Sequence, residues 1–371
     1  MEFFGLTIIA VATTYLAITL YAAVTAGRKD IAPAATPVPV SLLKPLHGDE
    51  PRLYENLKTF CVQDYPRFQI IFGVQRLDDP AAEIARLLQS EFPQLDIEVV
   101  VDARRHGSNP KVNNLINLCE RAKHPWLVMA DSDIAVTPDY LNTVTAPLAD
   151  AGVGVVTCLY RGKPRAGVWS RLGAQFINDW FAPSVLLTQL FGVQKYCAGA
   201  TLAMRAEVLK AIGGFAAVKD QLADDYWLGE LPRRMGLRTV LSPMRVITDV
   251  TASGLRELWQ QELRWMHTTR SLALAGFVFL FVTMTTPMLA LGLLLSPSLL
   301  CAGLVTVGLA LRIALHLAQN PLRVSDLLLI PLRDFLLLAE WLVALPGGAV
   351  HWRGQRLDMD SHGSDKLRPR S

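Results

Sequence analysis

Residues 271 to 311 contain no Asp, Glu, Lys or Arg. As helix, these 41 residues run for about 60 Å, twice the roughly 30 Å hydrocarbon core of a bilayer. Ser296-Pro297-Ser298 interrupts the run where a chain can reverse, so two spans are expected. Residues 3 to 27 form another charge-free run, about 37 Å as helix. A signal peptide would open on basic residues and carry a shorter apolar centre. This chain opens on Glu2 and meets Arg28 and Lys29 only after the run. Residues 1–29 therefore read as a retained anchor, with basic flanks that hold the succeeding domain in the cytosol. A third apolar stretch, 327–350, includes Arg333, Asp334 and Glu340, which are costly in lipid unless paired or near the headgroups. It either spans or lies in the interface. The basic tail, 352–371, prefers the cytosol. Three full spans after the anchor would put that tail outside; two, with one re-entrant or interfacial helix, would keep it inside.

Composition narrows the classes. Hydrophobic residues make up 51% of the 371, and the mean hydropathy of +0.29 is high for a wholly soluble protein. A net charge of +3, without any run of five basic residues, argues against a nucleic-acid binder. The five cysteines (Cys61, Cys119, Cys158, Cys197, Cys301) have no C-x-x-C spacing, which indicates neither a disulfide framework nor a zinc site. Reduced thiols on a cytosolic face are the expectation.

After a proline-bearing linker at 30–39, a domain over 40–250 alternates apolar runs with helical patterns. The runs at 40–46, 68–74, 97–101 and 126–131 read as buried strands; "DPAAEIARLLQSEF" and "PKVNNLINLCERA" show helical spacing. This is the rhythm of an α/β domain with a mixed, mostly parallel sheet, whose ligands bind beyond the carboxyl ends of the strands. Neither G-x-G-x-x-G nor G-x-x-x-x-G-K-[ST] occurs, so the dinucleotide and P-loop fingerprints are absent. The strand ends offer carboxylates instead: Asp78 and Asp79, then Asp102, then Asp131 and Asp133.

Carboxylates would repel a nucleotide diphosphate unless a divalent ion sat between them, which implies Mg²⁺ or Mn²⁺. On an extended D-S-D segment Asp131 and Asp133 would share a face and could flank one ion. The plainer alternative, a helix cap, is already supplied by Thr137 and Pro138. Asp224 and Asp225 open "DDYWLGELPRR"; paired carboxylates raise one another's pKa and suit a base, though acidic residues also favour any helix N-terminus. Residues 251–270 form an amphipathic interface helix: Gln260 and Arg264 share one face, while Leu255, Leu258, Trp259, Leu263 and Met266 share another. Gln261 lies beside them. Lys111 and Asn113 are candidates for phosphate or uracil contact, or plain solvated helix residues. Residues 168–193 carry Arg171, Asn178 and Asp179 among aromatics and read as a membrane-facing acceptor platform or as domain core.

The blocks "SLLKPLHGDEPRLYENL", "VQRLDDP", "GSNPKVNNL", "DSD", "ADDYWLG" and "QQELRW" together resemble the GT-A glycosyltransferases of family 2. More closely, they resemble the ceramide-glucosyltransferase-like family 21, including its bacterial branch associated with hopanoid biosynthesis. The resemblance covers about 40–265. It implies a GT-A nucleotide-diphospho-sugar transferase domain carrying membrane helices at both ends. Its pattern places the uridine contact on Asp79, the metal and diphosphate site on Asp131 with Asp133, and the base on Asp225. Donor contacts fall on Lys111, Gln260, Arg264 and Trp265, and Cys197 lines the donor pocket or is a buried structural thiol. Animal ceramide glucosyltransferases have Gly where this chain has Asp133, so metal binding looks more like ordinary family 2 enzymes. The third site usually reads Glu-Asp; here it is Asp224-Asp225. The expected activity is inverting transfer of a hexose from a UDP-sugar, UDP-N-acetylglucosamine by preference, to a hydroxyl of a bacteriohopanetetrol-type lipid. Ceramide with UDP-glucose is the alternative; a polysaccharide synthase or a non-catalytic lipid-binding protein fits less well. The expected setting is the bacterial inner membrane, multi-pass, with the catalytic domain cytosolic.

Overall fold

A computed structural model describes residues 2–26, 37–347, 349–352 and 355–358 of the chain. Arg28 and Lys29, most of the 30–39 linker and most of the 352–371 tail lie outside the described residues. The described chain forms two compact units. One holds residues 37–161 and 194–249, the other 2–26, 162–193 and 250–347.

The first unit is built on a mixed eight-stranded sheet of order β3-β2-β1-β4-β7-β6-β8-β5. Its strands are β1 (Val40–Pro45), β2 (Phe68–Val74), β3 (Asp96–Val101), β4 (Trp126–Ala130), β5 (Ile134–Ala135), β6 (Val153–Pro164), β7 (Thr201–Arg205) and β8 (Arg238–Val250). The expected runs form the parallel half: β1 pairs with β2 from Val40↔Phe68 to Pro45↔Gly73 and with β4 from Val40↔Trp126, and β2 pairs with β3. Their near-continuous apolar sequences follow from burial on both faces. Val40, Leu42, Ile70, Phe72 and Val128 pack into one core, while Leu43, Ile71, Leu127 and Met129 pack into another, the period-two alternation of a strand. Helices Pro80–Glu91 and Pro110–Cys119 each begin with Pro after a side-chain cap, Asp79 and Asn109. The antiparallel pairings of β4 with β7, β6 with β7 and β5 with β8 were not apparent from the βαβ rhythm.

Two expectations are corrected. The helix after the D-S-D residues is Tyr140–Thr145, with Asp139 rather than Thr137 at its N-cap position and no side-chain cap; the Thr137 hydroxyl donates to the Asp139 carboxylate at 2.5 Å. Asp131, Ser132 and Asp133 lie in a turn between β4 and β5 rather than in an extended strand, so strand alternation does not set their directions.

In the second unit, helices Glu2–Thr25 and Leu299–Gln319 are long and apolar enough to cross a membrane. Helices Leu274–Thr283 and Thr285–Leu295 meet at a 66° bend, so the expected first C-terminal span is broken near Met284. The expected reversal at Ser296-Pro297-Ser298 is present, with Ser298 Oγ accepting from the Cys301 N–H at 3.2 Å. The third apolar stretch yields a helix of 15 residues, Ile330–Ala344, about 22 Å long and shorter than the hydrocarbon core. Its charges are paired: Arg333 with Glu262 at 2.7 Å and Glu340 at 2.8 Å, Asp334 with Arg312 at 2.9 Å. Residues 168–193 fold as Val168–Gln175, a π-helical turn at Phe176–Phe181 and helix Ala182–Leu190. Asp179 points inward there, taking hydrogen bonds from Arg312 (3.3 Å) and Asn320 (2.6 Å) and pairing with His316 (2.7 Å). A buried ionic core therefore accounts for its polarity better than a surface platform does.

Candidate active site

Asp131 follows the last residue of β4 and so leaves the sheet at the carboxyl end of a central strand, where open α/β sheets bind ligands. Its backbone is held from below by Lys44 in β1, whose Nζ donates to the Asp131 carbonyl and sits 3.7 Å from the centre of the Phe60 ring. Burial lowers the Lys44 ammonium to about 7, against the pull of Asp131 and Asp133. The Asp131 carboxylate faces Lys111, 2.6 Å away on the first turn of Pro110–Cys119. Lys111 lies 3.8 Å from Asp224 as well. Burial opposes its charge, but Asp131 and then Asp224 more than offset that and raise its pKa.

Asp224 and Asp225 occupy the first turn of helix Asp224–Arg234. Asp225 is oriented by two backbone donors, Gly199 N–H to Oδ2 and Tyr226 N–H to Oδ1, each at 2.8 Å. Asn109 joins the cap of the Pro110–Cys119 helix to this turn, donating to the Gln221 carbonyl at 2.8 Å and to Asp224 Oδ1 at 3.4 Å. At Gly199 the three parts converge. A methyl group there would lie 3.0 Å from Lys111 Nζ and 3.4 Å from both Asp131 Oδ2 and Asp225 Oδ2.

The electrostatics follow from the crowding. Burial raises Asp133 to about 7, with Asp131 the next cause. Burial raises Asp224 to about 6, opposed by Lys111 and reinforced by Asp225. Asp225 is raised by burial too, with Lys111 opposing. Desolvation is thus the larger cause and repulsion between carboxylates the smaller. The carboxyls of Asp131, Asp133, Asp224 and Asp225 outnumber the ammoniums of Lys44 and Lys111 beside them.

Among the described residues no group of three or more His, Cys, Asp or Glu is arranged to hold a metal. Asp131 and Asp133 are close enough for the charge of one to act on the other, so a divalent cation at this pair would take its remaining ligands from phosphate oxygens. Asp133 is pushed toward protonation by burial and by the charge of Asp131, and a cation is what would let both stay ionised.

The other candidates divide. Asp79 caps Pro80–Glu91, accepting from Ala81 N–H at 3.0 Å and from Gly48 N–H at 2.9 Å, with His47 at 3.5 Å. Asp78 pairs with Arg76, and Asp102 with Arg104. Asn113 braces the preceding loop, its Oδ1 accepting from His106 and Gly107 N–H, each at 2.8 Å. Cys197 is buried and packs against Gly229, where a Cβ would lie 2.9 Å from its sulfur. Gln260, Gln261, Arg264 and Trp265 belong to helix Leu255–Leu272 of the second unit, Gln260 and Gln261 exposed and Trp265 5.4 Å from Phe176, centre to centre. Sequence reasoning missed Lys44 and Asn109. Their signals were a lysine inside the apolar run VSLLKPL and an Asn before the Pro that opens a helix.

Comparison with known proteins gives these features a frame. The chain is 26% identical over 229 residues to ceramide glucosyltransferase 1 of Caenorhabditis elegans, covering 61% of this chain and 49% of that protein. It is 31% identical over 107 residues to the ceramide glucosyltransferase of Komagataella phaffii, covering 28% and 21%. The match to the worm protein thus spans about half of that relative's length. Among solved structures, the mannosyltransferase PcManGT from Pyrobaculum calidifontis, determined with GDP-Man and Mn²⁺, superposes with a TM-score of 0.56 at 20% identity, covering 90% of this chain and 98% of that one. That likeness makes the fold GT-A-like. The profile of glycosyl transferase family 21 matches residues 5–365, and the chain belongs to that family.

Proposed function

We propose that the chain is an inverting enzyme that moves a hexose from a UDP-sugar to a hydroxyl group of a membrane lipid. The observation that carries this reading is the convergence of Asp131, Lys111 and Asp225 at Gly199. Asp225 is the base. Its two backbone donors fix its direction, and burial lifts its pKa toward the range where a carboxylate accepts a proton readily. It takes the proton of the acceptor hydroxyl as that oxygen bonds to C1 of the sugar; the bond from C1 to the diphosphate breaks and UDP departs. Lys111 binds the diphosphate side and holds Asp131 in place. Asp131 and Asp133 would hold a Mg²⁺ or Mn²⁺ that offsets charge on the departing diphosphate. Gln260, Arg264 and Trp265 keep the donor-binding role that the family pattern assigns, and Asp79 the uridine contact.

Two helices long and apolar enough to cross a membrane support action on a lipid, and the bacterial inner membrane with a cytosolic active site is the proposed setting. Two acceptors go forward. A bacteriohopanetetrol-type polyol with UDP-N-acetylglucosamine rests on the sequence resemblance. Ceramide with UDP-glucose is supported by the ceramide glucosyltransferases among the relatives. UDP release by the full chain in nanodiscs, with Mn²⁺ and each donor and acceptor pair, tests both. The expected result is release with one pair, lost in Asp225→Asn. No release with any pair, or an unchanged rate in Asp225→Asn, would sink the reading.

A further inference from the structure

We infer that Arg333 is a positioning residue that sets the rotation of the Leu255–Leu272 helix, and so the presentation of Gln260, Arg264 and Trp265. The inference rests on the donor-binding role proposed above for those three. On this helix the buried stripe is Leu258, Glu262 and Met266, spaced i, i+4 on one face. A carboxylate therefore sits in the middle of an apolar stripe. Glu262 is two residues from both Gln260 and Arg264, about 200° round the helix from each, so whatever pins Glu262 inward turns those two away from the pinned face.

The pin is Arg333, on the Ile330–Ala344 helix. Its Nη1 donates to Glu262 at 2.7 Å and its Nη2 to Glu340 at 2.8 Å. Glu262 is 1% exposed, Arg333 2% and Glu340 0%, so no solvent stands in for a lost partner. The guanidinium also lies 5.4 Å from the centre of the Phe176 ring, and that ring is 5.4 Å from Trp265. One arginine thus holds the helix by its buried carboxylate and braces Trp265 through an intervening ring.

Apolar packing alone leaves the rotation loosely specified, because Trp259 and Leu263 are half-buried alongside the stripe. Turning the helix by one residue, about 100°, would withdraw Glu262 from Arg333 and leave two buried charges apart. The triad is also poorly built for stability alone. Among the described residues Arg333 Nε has no hydrogen-bond partner, two carboxyls share one guanidinium, and a partly satisfied buried network is worse for stability than an apolar one. Its geometric selectivity is what an apolar core would not supply.

The test replaces the whole triad in the full chain in nanodiscs, Glu262→Met, Arg333→Met and Glu340→Met together. Exchanging a complete buried charge set for apolar residues is often neutral or stabilising, so the thermal midpoint is expected at or above wild type. The KM for the UDP-sugar is expected to rise about tenfold with the KM for the lipid unchanged. A role in stability alone would lower the amount of active enzyme and leave both KM values where they are. Wild-type donor KM in a folded triple variant overturns the inference. If the triple does not fold, Glu262→Met, which removes the acceptor and leaves Arg333 paired with Glu340, decides, with the same rise expected and an unchanged donor KM overturning it. Arg264→Ala keeps the two readings apart: if its donor KM is that of wild type, the donor-binding role itself fails, whatever the triad does.

Discussion

Three charged side chains crowd the position that a Cβ at Gly199 would occupy. Ala at 199 puts its methyl 3.0 Å from Lys111 Nζ, at the place proposed for the reaction. Gly199→Ala is therefore expected to slow UDP release at least about tenfold, roughly 1.4 kcal/mol in the barrier, with a melting curve close to wild type. An unchanged rate would mean that the reaction takes place elsewhere. Asp224 allows a prediction with a sign. Its carboxyl is raised by burial to about 6 in the folded chain, above the unfolded value near 3.9. Its contribution to stability is complete below the unfolded value and is lost as pH rises through about 6, because ionising it in place is costly. Asp224→Asn should raise the thermal midpoint by roughly 2–4 °C at pH 7.5, the gain shrinking to nothing near pH 4. A gain that is equal at both pH values would place the effect outside this titration. The acidic members of the site were legible because carboxylates at strand and helix starts stand out in a sequence. Lys44 was not, since its role depends on the Asp131 carbonyl meeting it across the sheet, a contact 87 residues apart in the chain.

At the scale of elements, the parallel half of the sheet was legible and the antiparallel half was not. Strands β1, β2 and β4 are buried on both faces and read as near-continuous apolar runs. In β8 buried and half-buried positions mix along 13 residues, and its partner β5 has only two residues, too short for any period to show. The D-S-D residues were expected to align by strand alternation; they lie in a turn instead, with Asp131 close enough to Asp133 for its charge to be felt there. Asp79 shows how one element end can serve two purposes. It caps Pro80–Glu91 and also ties down Gly48, so its replacement mixes fold with function. Asp79→Ala is expected to cost about 1 kcal/mol of stability as a lost cap. Asp79→Asn keeps an oxygen acceptor at the cap and should keep the stability. If Asp79 contacts the uridine, both variants raise the KM for the UDP-sugar; a wild-type KM in Asp79→Asn would leave Asp79 as a cap alone.

At the scale of the whole molecule, the membrane path that the sequence left open becomes a question of which helix ends lie level. The Gly5 position lies against Gly292 and Ser296, where a Cβ would meet backbone or side-chain atoms within 2.9 Å. Further along, Gly308 lies within reach of Thr13. Helices Glu2–Thr25 and Leu299–Gln319 therefore run in the same direction, and Thr285–Leu295 runs against them. This places the Ser296-Pro297-Ser298 turn beside the start of the first helix and Asn320 toward its end; the threading tested below takes the bent pair as one broken span. Arg312, His316 and Asn320 all lie within about 10 Å of the end of their helix, where buried charge with partners is tolerated best. Ile330–Ala344 is too short to cross and holds Arg333, Asp334 and Glu340 inward; in this threading it is expected in the interface on the side of Asn320. Single cysteines placed in a chain freed of its five native ones test this with a membrane-impermeant maleimide. Ser298→Cys should label from the face that labels Glu2→Cys, and Asn320→Cys or Arg323→Cys only from the opposite face. Labelling of Ser298→Cys and Arg323→Cys from one and the same face would show that the chain does not cross between them and would discard this threading.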